Sequence, residues 1–196
     1  MQHTIQQEIK GVIAFVAAIW AVFILDWVLP IDLNTFGLTP RTLPGLVGIP
    51  AMPFLHANLQ HIVSNTLPLF ILLILLAGSR ANSWAVVVAV VVLGGVLLWL
   101  FGRPATHIGA SGLIFGLIAF LIVSGFLEGR FIPLVIAVAV TFFYGGGLLL
   151  GVVPRLGSQV SWDGHLFGAL AGAILGYVLA RRLQPQAVTT QRLPEP

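Results

Sequence analysis

Six runs of roughly twenty mostly apolar residues follow one another through this 196-residue chain, at about residues 10–29, 59–77, 84–100, 109–127, 131–152 and 163–180. A helix needs about 20 such residues to cross the hydrocarbon of a bilayer. Within lipid, each backbone polar group must find its partner inside the protein. These two constraints point to a bundle of membrane helices. Composition agrees, with 58% of residues hydrophobic and 8% charged, whereas soluble domains carry about 25% charged residues. Nine Lys and Arg against six Asp and Glu leave a formal charge of +3. That is too sparse for a nucleic-acid footprint and suits the basic flanks of membrane helices. With no cysteine in the chain, disulfides and thiolate zinc sites are excluded.

The first run follows one lysine, Lys10, and has no clear small-residue cleavage site, so it reads as a retained span rather than a leader. Residues 1–9 are then a short cytoplasmic N-terminus, 10–182 one six-helix membrane domain, and 183–196 a polar tail expected to be disordered. Residues 30–58 hold Pro30, Pro40, Pro44, Pro50 and Pro53, too many for a span. Leu43, Leu46, Phe54 and Leu55 make the stretch too apolar for a solvated linker. It is expected to lie partly in the membrane interface or to lean on the bundle. Lys10, Arg80, Arg130, Arg181, Arg182 and Arg192 fall on one side of the bundle, and Arg41, Arg103 and Arg155 on the other. The positive-inside rule then places both termini in the cytoplasm.

Polar residues inside membrane spans are costly and by default mark function. His61 and Asn65 sit in the first turns of the second run, Ser111 at the start of the fourth, and His165 at the start of the sixth. In the topology above these three runs begin on the same outer face. His61 and Asn65 are four apart and share a helix face; His56 lies five residues earlier. Gly164, Gly168, Gly172 and Gly176 recur every four residues, as do Gly112 and Gly116. Such stripes allow two membrane helices to approach closely. Close approach would bring the Ser111 hydroxyl to the His165 imidazole, the pairing a nucleophilic serine needs. His61, Asn65 and the Ser111 amide could supply donors to an oxyanion.

At these residues the chain resembles the rhomboid family of intramembrane serine proteases. The matching pieces are His56-x4-His61-x3-Asn65, Gly109-Ala110-Ser111-Gly112 and Gly164-His165-x2-Gly168, within roughly residues 45–182. The resemblance implies an all-α, six-transmembrane-helix bundle with a partly embedded first loop. It implies a Ser111–His165 dyad and an oxyanion hole of His61, Asn65 and the Ser111 amide, with His56, Gly109, Gly112, Phe115, Gly164 and Gly168 in support. It implies cleavage of transmembrane segments of other membrane proteins, in a cavity open to the outer face of a bacterial cell membrane, without cofactor or metal. Two features depart from patterns seen in some members. Phe115 stands where a tyrosine packs on the histidine, and Pro40-Arg41-Thr42 where a tryptophan-arginine pair occurs.

Plainer readings exist for the same residues. Ser111 can be a small packing residue, and His165 an interfacial histidine. Asp163 is expected to cap its helix rather than complete a triad. His56 can brace the first loop, and His107 is expected to be exposed at the interface. Phe142, Phe143 and Tyr144, followed by Gly145-Gly146-Gly147, fit either a flexible gate or lipid-facing bulk. A metal site on the histidines lacks the usual His-Glu-x-x-His helix. The rival functions are a non-catalytic rhomboid-like protein that binds membrane clients and a small proton-coupled transporter. The latter would favour internal repeats and a mid-membrane site, and neither is visible.

Overall fold

In a computed structural model, described at residues 5–79, 82–154 and 160–183, the chain is all-helical, and no strand occurs among the described residues. The helices are α1 (Ile5–Val28), the single turn α2 (Gly48–Ala51), α3 (Leu59–Ser79), α4 (Ser83–Phe101), α5 (Ser111–Leu127), α6 (Phe131–Gly151) and α7 (Trp162–Leu183). Five of them, α1, α3, α4, α6 and α7, are long and apolar enough to cross a membrane. α5 has 17 residues, about 25 Å at 1.5 Å per residue. It begins two residues later than the apolar run because Gly109 has a φ of 109°, which no right-handed helix continues. α1 starts at Ile5, inside the stretch expected to be a separate N-terminal segment, since Gln6, Gln7 and Glu8 extend the helix outward. The expected tail from Gln184, together with Arg80, Arg155 and Arg192, lies outside the described residues.

α5 is the hub. It buries Leu113, Ile114, Leu117, Phe120 and Leu121 on several faces, as expected of a helix apolar all round. Val86, Val87 and Val90 of α4, Leu69, Leu72 and Leu76 of α3, and Val12 and Ile19 of α1 complete one core. α1 is tied to α4 by the Ser83 hydroxyl, which donates to Glu8 at 2.5 Å, and to α3 by the Trp20 indole, which donates to Thr66 at 3.1 Å. The most extensive helix contact is between α5 and α7. A methyl group built on Gly168 would overlap the Gly112 carbonyl, and one on Gly172 the Gly116 carbonyl. The four-residue glycine stripes are thus a backbone-to-backbone seam.

The segment between α1 and α3 leans on the bundle through its main chain. Leu38 and His107 exchange two backbone hydrogen bonds, of 3.0 and 2.8 Å. Gly109 N–H donates to the Met52 carbonyl at 2.8 Å. Arg41, at a φ of 58°, donates through its guanidinium to the carbonyls of Leu100 (3.2 Å) and Gly102 (2.8 Å). The Trp99 indole returns a bond to the Thr42 carbonyl at 2.8 Å. This arginine therefore meets a tryptophan brought from α4, not from its own loop. Lys10, Arg130, Arg181 and Arg182 sit at the end of the bundle away from Ser111, and Arg41 and Arg103 at the Ser111 end.

Candidate active site

Ser111 opens α5, and His165 lies in the first turn of α7, across the glycine seam. Both line a cavity of about 750 Å3 whose walls include His61, Ser64, Asn65 and Pro68 of α3, Phe115 of α5, and Phe143, Tyr144 and Gly147 of α6. The closeness of the seam is what sets the serine and the histidine on one wall. Gly112 and Gly164 meet backbone to backbone one residue beyond Ser111 and one before His165.

The His165 ring is held in two ways. The Phe115 ring stacks on it, with centroids 4.0 Å apart and planes 9° from parallel. Its Nδ1 lies 3.0 Å from the Gly151 carbonyl, at the C-terminal end of α6. A carbonyl only accepts, so Nδ1 carries the proton of a neutral imidazole and Nε2 keeps its lone pair. Phe115 keeps the stacking expected of an aromatic residue there, without a hydroxyl.

Gly109, His61 and Asn65 form a second cluster. A side chain at Gly109 would stand 2.6 Å from His61 Nε2 and 3.7 Å from Asn65 Nδ2, so both donors crowd the turn before Ser111. Asn65 is 6% exposed, and its side-chain nitrogen has no hydrogen-bond partner among the described residues. A buried amide left unpaired is costly unless a ligand satisfies it. His56, fully buried behind this cluster, places its ring edge-on to His61 at 4.9 Å, and its Nε2 accepts from the Ala110 amide at 3.5 Å. Burial, with the His61 imidazole beside it, brings His56 down to about 4, so at neutral pH it is an acceptor.

Two expectations fail here. His107 is not exposed at the interface but 3% accessible, because its backbone pairing with Leu38 tucks the ring inward. Its Nδ1 lies 2.6 Å from the Ser161 hydroxyl and its Nε2 3.3 Å from the Arg103 carbonyl. Burial pushes the His107 imidazole below its usual range, with the Asp163 carboxylate opposing the shift. Nor is Asp163 the cap of α7. Ser161 caps it, its hydroxyl accepting from Gly164 N–H at 3.2 Å and its carbonyl from His165 N–H at 3.0 Å. Asp163 already lies within the first turn, and its carboxylate turns to the loop before α5. There Oδ2 accepts from Arg103 N–H at 3.0 Å, and Oδ1 pairs with Arg103 Nε at 3.3 Å. No hydrogen bond joins Asp163 to His165 among the described residues. Ser161 carried a legible signal, a serine just before an apolar run with an acid in the first turn. The Gly151 carbonyl carried none. No group of three or more His, Asp or Glu side chains is arranged for a metal among the described residues.

A family model described as Rhomboid domain matches residues 45–182. An uncharacterized protein of Mycobacterium tuberculosis strain H37Rv is 42% identical over 179 residues, covering 86% of this chain and 74% of that protein. An uncharacterized protein of Mycobacterium leprae is likewise 42% identical over 179 residues, 86% of this chain and 70% of its own length. A protein of Acanthamoeba polyphaga mimivirus whose name calls it a rhomboid protein is 30% identical over 145 residues, 70% of this chain and 77% of that one.

Proposed function

The chain belongs to the rhomboid family of membrane proteins, and from that premise we propose that it is an intramembrane serine endopeptidase working through a Ser111–His165 dyad. α5 is then the sixth crossing helix, short because it is wrapped by the others, with the termini in the cytoplasm and the cavity open to the outer face. The single observation that carries the reading is the cavity itself. It is lined by the Ser111 hydroxyl, by the His165 imidazole whose Nδ1 faces the Gly151 carbonyl, and by the buried Asn65 amide, whose nitrogen has no hydrogen-bond partner among the described residues.

In this reading Nε2 of His165 takes the hydroxyl proton as Ser111 Oγ bonds to the carbonyl carbon of the scissile peptide. The carbonyl oxygen becomes an oxyanion. It receives hydrogen bonds from Asn65 Nδ2, His61 and the Ser111 amide, the last aided by the positive end of α5. On collapse the C–N bond breaks, and the imidazolium returns its proton to the leaving amine. A water, deprotonated by Nε2, then releases the acyl group and restores Ser111. Substrate is a transmembrane segment that must unwind locally, since a helical peptide bond is shielded by its neighbours. His56 holds His61 and the Ala110 amide, fixing the approach to Ser111 rather than touching substrate.

The experiment is cleavage of a single-span substrate in liposomes, with fluorophosphonate labelling in parallel. Ser111→Ala and His165→Ala should each remove cleavage, a loss of roughly 10³-fold or more, and Ser111→Ala should remove labelling. A folded wild-type protein that neither labels nor cleaves would favour the non-catalytic, client-binding alternative.

A further inference from the structure

We infer that Asp163 is a positioning residue for the Ser111–His165 pair, acting through Arg103 and His107 rather than through His165. The inference rests on the protease reading above for its functional consequence, and on geometry alone for its mechanical part. Asp163 and His165 are two residues apart on one helix, which turns their side chains to different faces. The carboxylate, 2% exposed, faces the segment 103–107. It accepts from the Arg103 amide at 3.0 Å, pairs with Arg103 Nε at 3.3 Å, and stands 3.7 Å from His107 Nε2. Ser161, the cap of α7, bridges the same groups. Its hydroxyl lies 2.6 Å from His107 Nδ1 and 3.3 Å from Asp163 Oδ1. Arg103 also donates to the Val160 carbonyl at 2.9 Å.

Every one of these bonds joins the start of α7 to the stretch of chain that leads into Ser111, or organises the groups that do so. His107 is four residues before the serine, and Asp163 two before the histidine. The seam that packs α5 on α7 is built of glycine backbone. A glycine seam determines how near the helices come, but beyond contacts such as the Phe115–His165 stack it leaves how far one slides or turns along the other to groups outside it. The buried carboxylate supplies that setting. It also has a reason to be charged there, because a buried carboxylate is tolerated when a guanidinium stands beside it and an amide donates to it.

The test compares wild type, Asp163→Asn, Arg103→Gln and the double variant in liposomes. Cleavage of a single-span substrate is followed across pH. In parallel, a nitroxide is read on Ala105→Cys, an exposed site in a chain with no other cysteine. Asp163→Asn should lower kcat roughly 10²-fold, the scale of a 1 Å misplacement, with KM little changed and the acid limb of the pH profile unmoved. Arg103→Gln should lower it less, and the double variant no further than Asp163→Asn alone, because both act through one contact. The nitroxide should gain mobility in each. If Asp163→Asn does not fold, Arg103→Gln and His107→Gln close the same cycle. A wild-type rate in Asp163→Asn overturns the inference, as do losses that multiply independently. An acid limb displaced in that variant also overturns it, since Asp163 would then act on His165 directly. An unchanged nitroxide spectrum overturns it even where nothing is cleaved. A loosened segment beside a wild type with no Ser111-dependent cleavage supports the tie and refutes the protease reading instead.

Discussion

The two long walls of the cavity are held by different means. On one side α5 and α7 meet backbone to backbone, and the outer segments 38–42, 52–56 and 99–110 are stitched over their ends by main-chain bonds and the Arg103–Asp163–His107–Ser161 cluster. On the other side α6 packs on α5 near its start, where Pro133 and Ala137 meet Gly125, and touches α3 and α7 only lightly. Farther along it exposes Phe142 (80%) and Phe143 (75%), and among the described residues no neighbouring segment lies within 4 Å of a side chain built at Gly146 or Gly147. Ser111 and His165 sit on the tight wall; among the described residues the loose wall supplies Phe143, Tyr144 and Gly147 to the cavity and the Gly151 carbonyl to His165. On the protease reading, the serine and the histidine need stiffness around them, and admitting a transmembrane segment needs a flank with little packing to lose.

The contrast can be broken most strongly at the seam. Gly168→Val should destabilise the protein by about 3 kcal/mol, since the obstructing atoms are backbone and cannot repack; thermal unfolding in detergent would show it. If that variant melts with wild type, the seam is not the tight element. On the protease reading, Asn65→Ala should leave the fold in place while lowering kcat roughly 10²-fold, the cost of losing one donor to the oxyanion. An equal rise in KM with kcat unchanged would assign Asn65 to substrate binding instead. His56 gives the tight wall a pH signature. Its folded pKa, about 4, lies below the ordinary histidine value of 6.5. The unfolded chain therefore binds more protons between those values, so stability is whole above pH 6.5 and falls as pH drops toward 4. Melting curves over that range should show the loss, and His56→Gln should reduce it, leaving the part that the buried His107 contributes with the same sign. The smallest effect is expected on the loose wall. Gly146→Ala, with open space around it, should shift stability by less than about 1 kcal/mol, in the stabilising direction that helix propensity favours. If α6 must flex to admit substrate, the same change should lower kcat/KM. If its aromatic residues are only lipid-facing bulk, kcat/KM should stay as in wild type.

Particular residues show where reading from sequence alone succeeds and where it stops. That Ser111, His165, His61 and Asn65 would gather at one cavity was legible because each is a polar group in an apolar run, and the four-residue glycine periods pointed to the helices that would meet. The residues misjudged were those whose surroundings come from elsewhere in the chain. His107 looked exposed because it sits in the loop before the fourth apolar run, yet Leu38, 69 residues away, draws it in. Asp163 looked like a cap because acids favour helix starts, yet Arg103, 60 residues away, takes its carboxylate.

The sequence by itself determined the apolar spans, the helices that carry the polar groups and the stripes on which they pack, because hydropathy and helical period are properties of neighbouring residues. Only the tertiary structure decided which nitrogen of His165 bears its proton, what Asp163 holds, and why one wall of the cavity is stiff and the other slack. Those depend on atoms that distant segments bring together, and a buried polar group takes whichever partner the fold sets within reach.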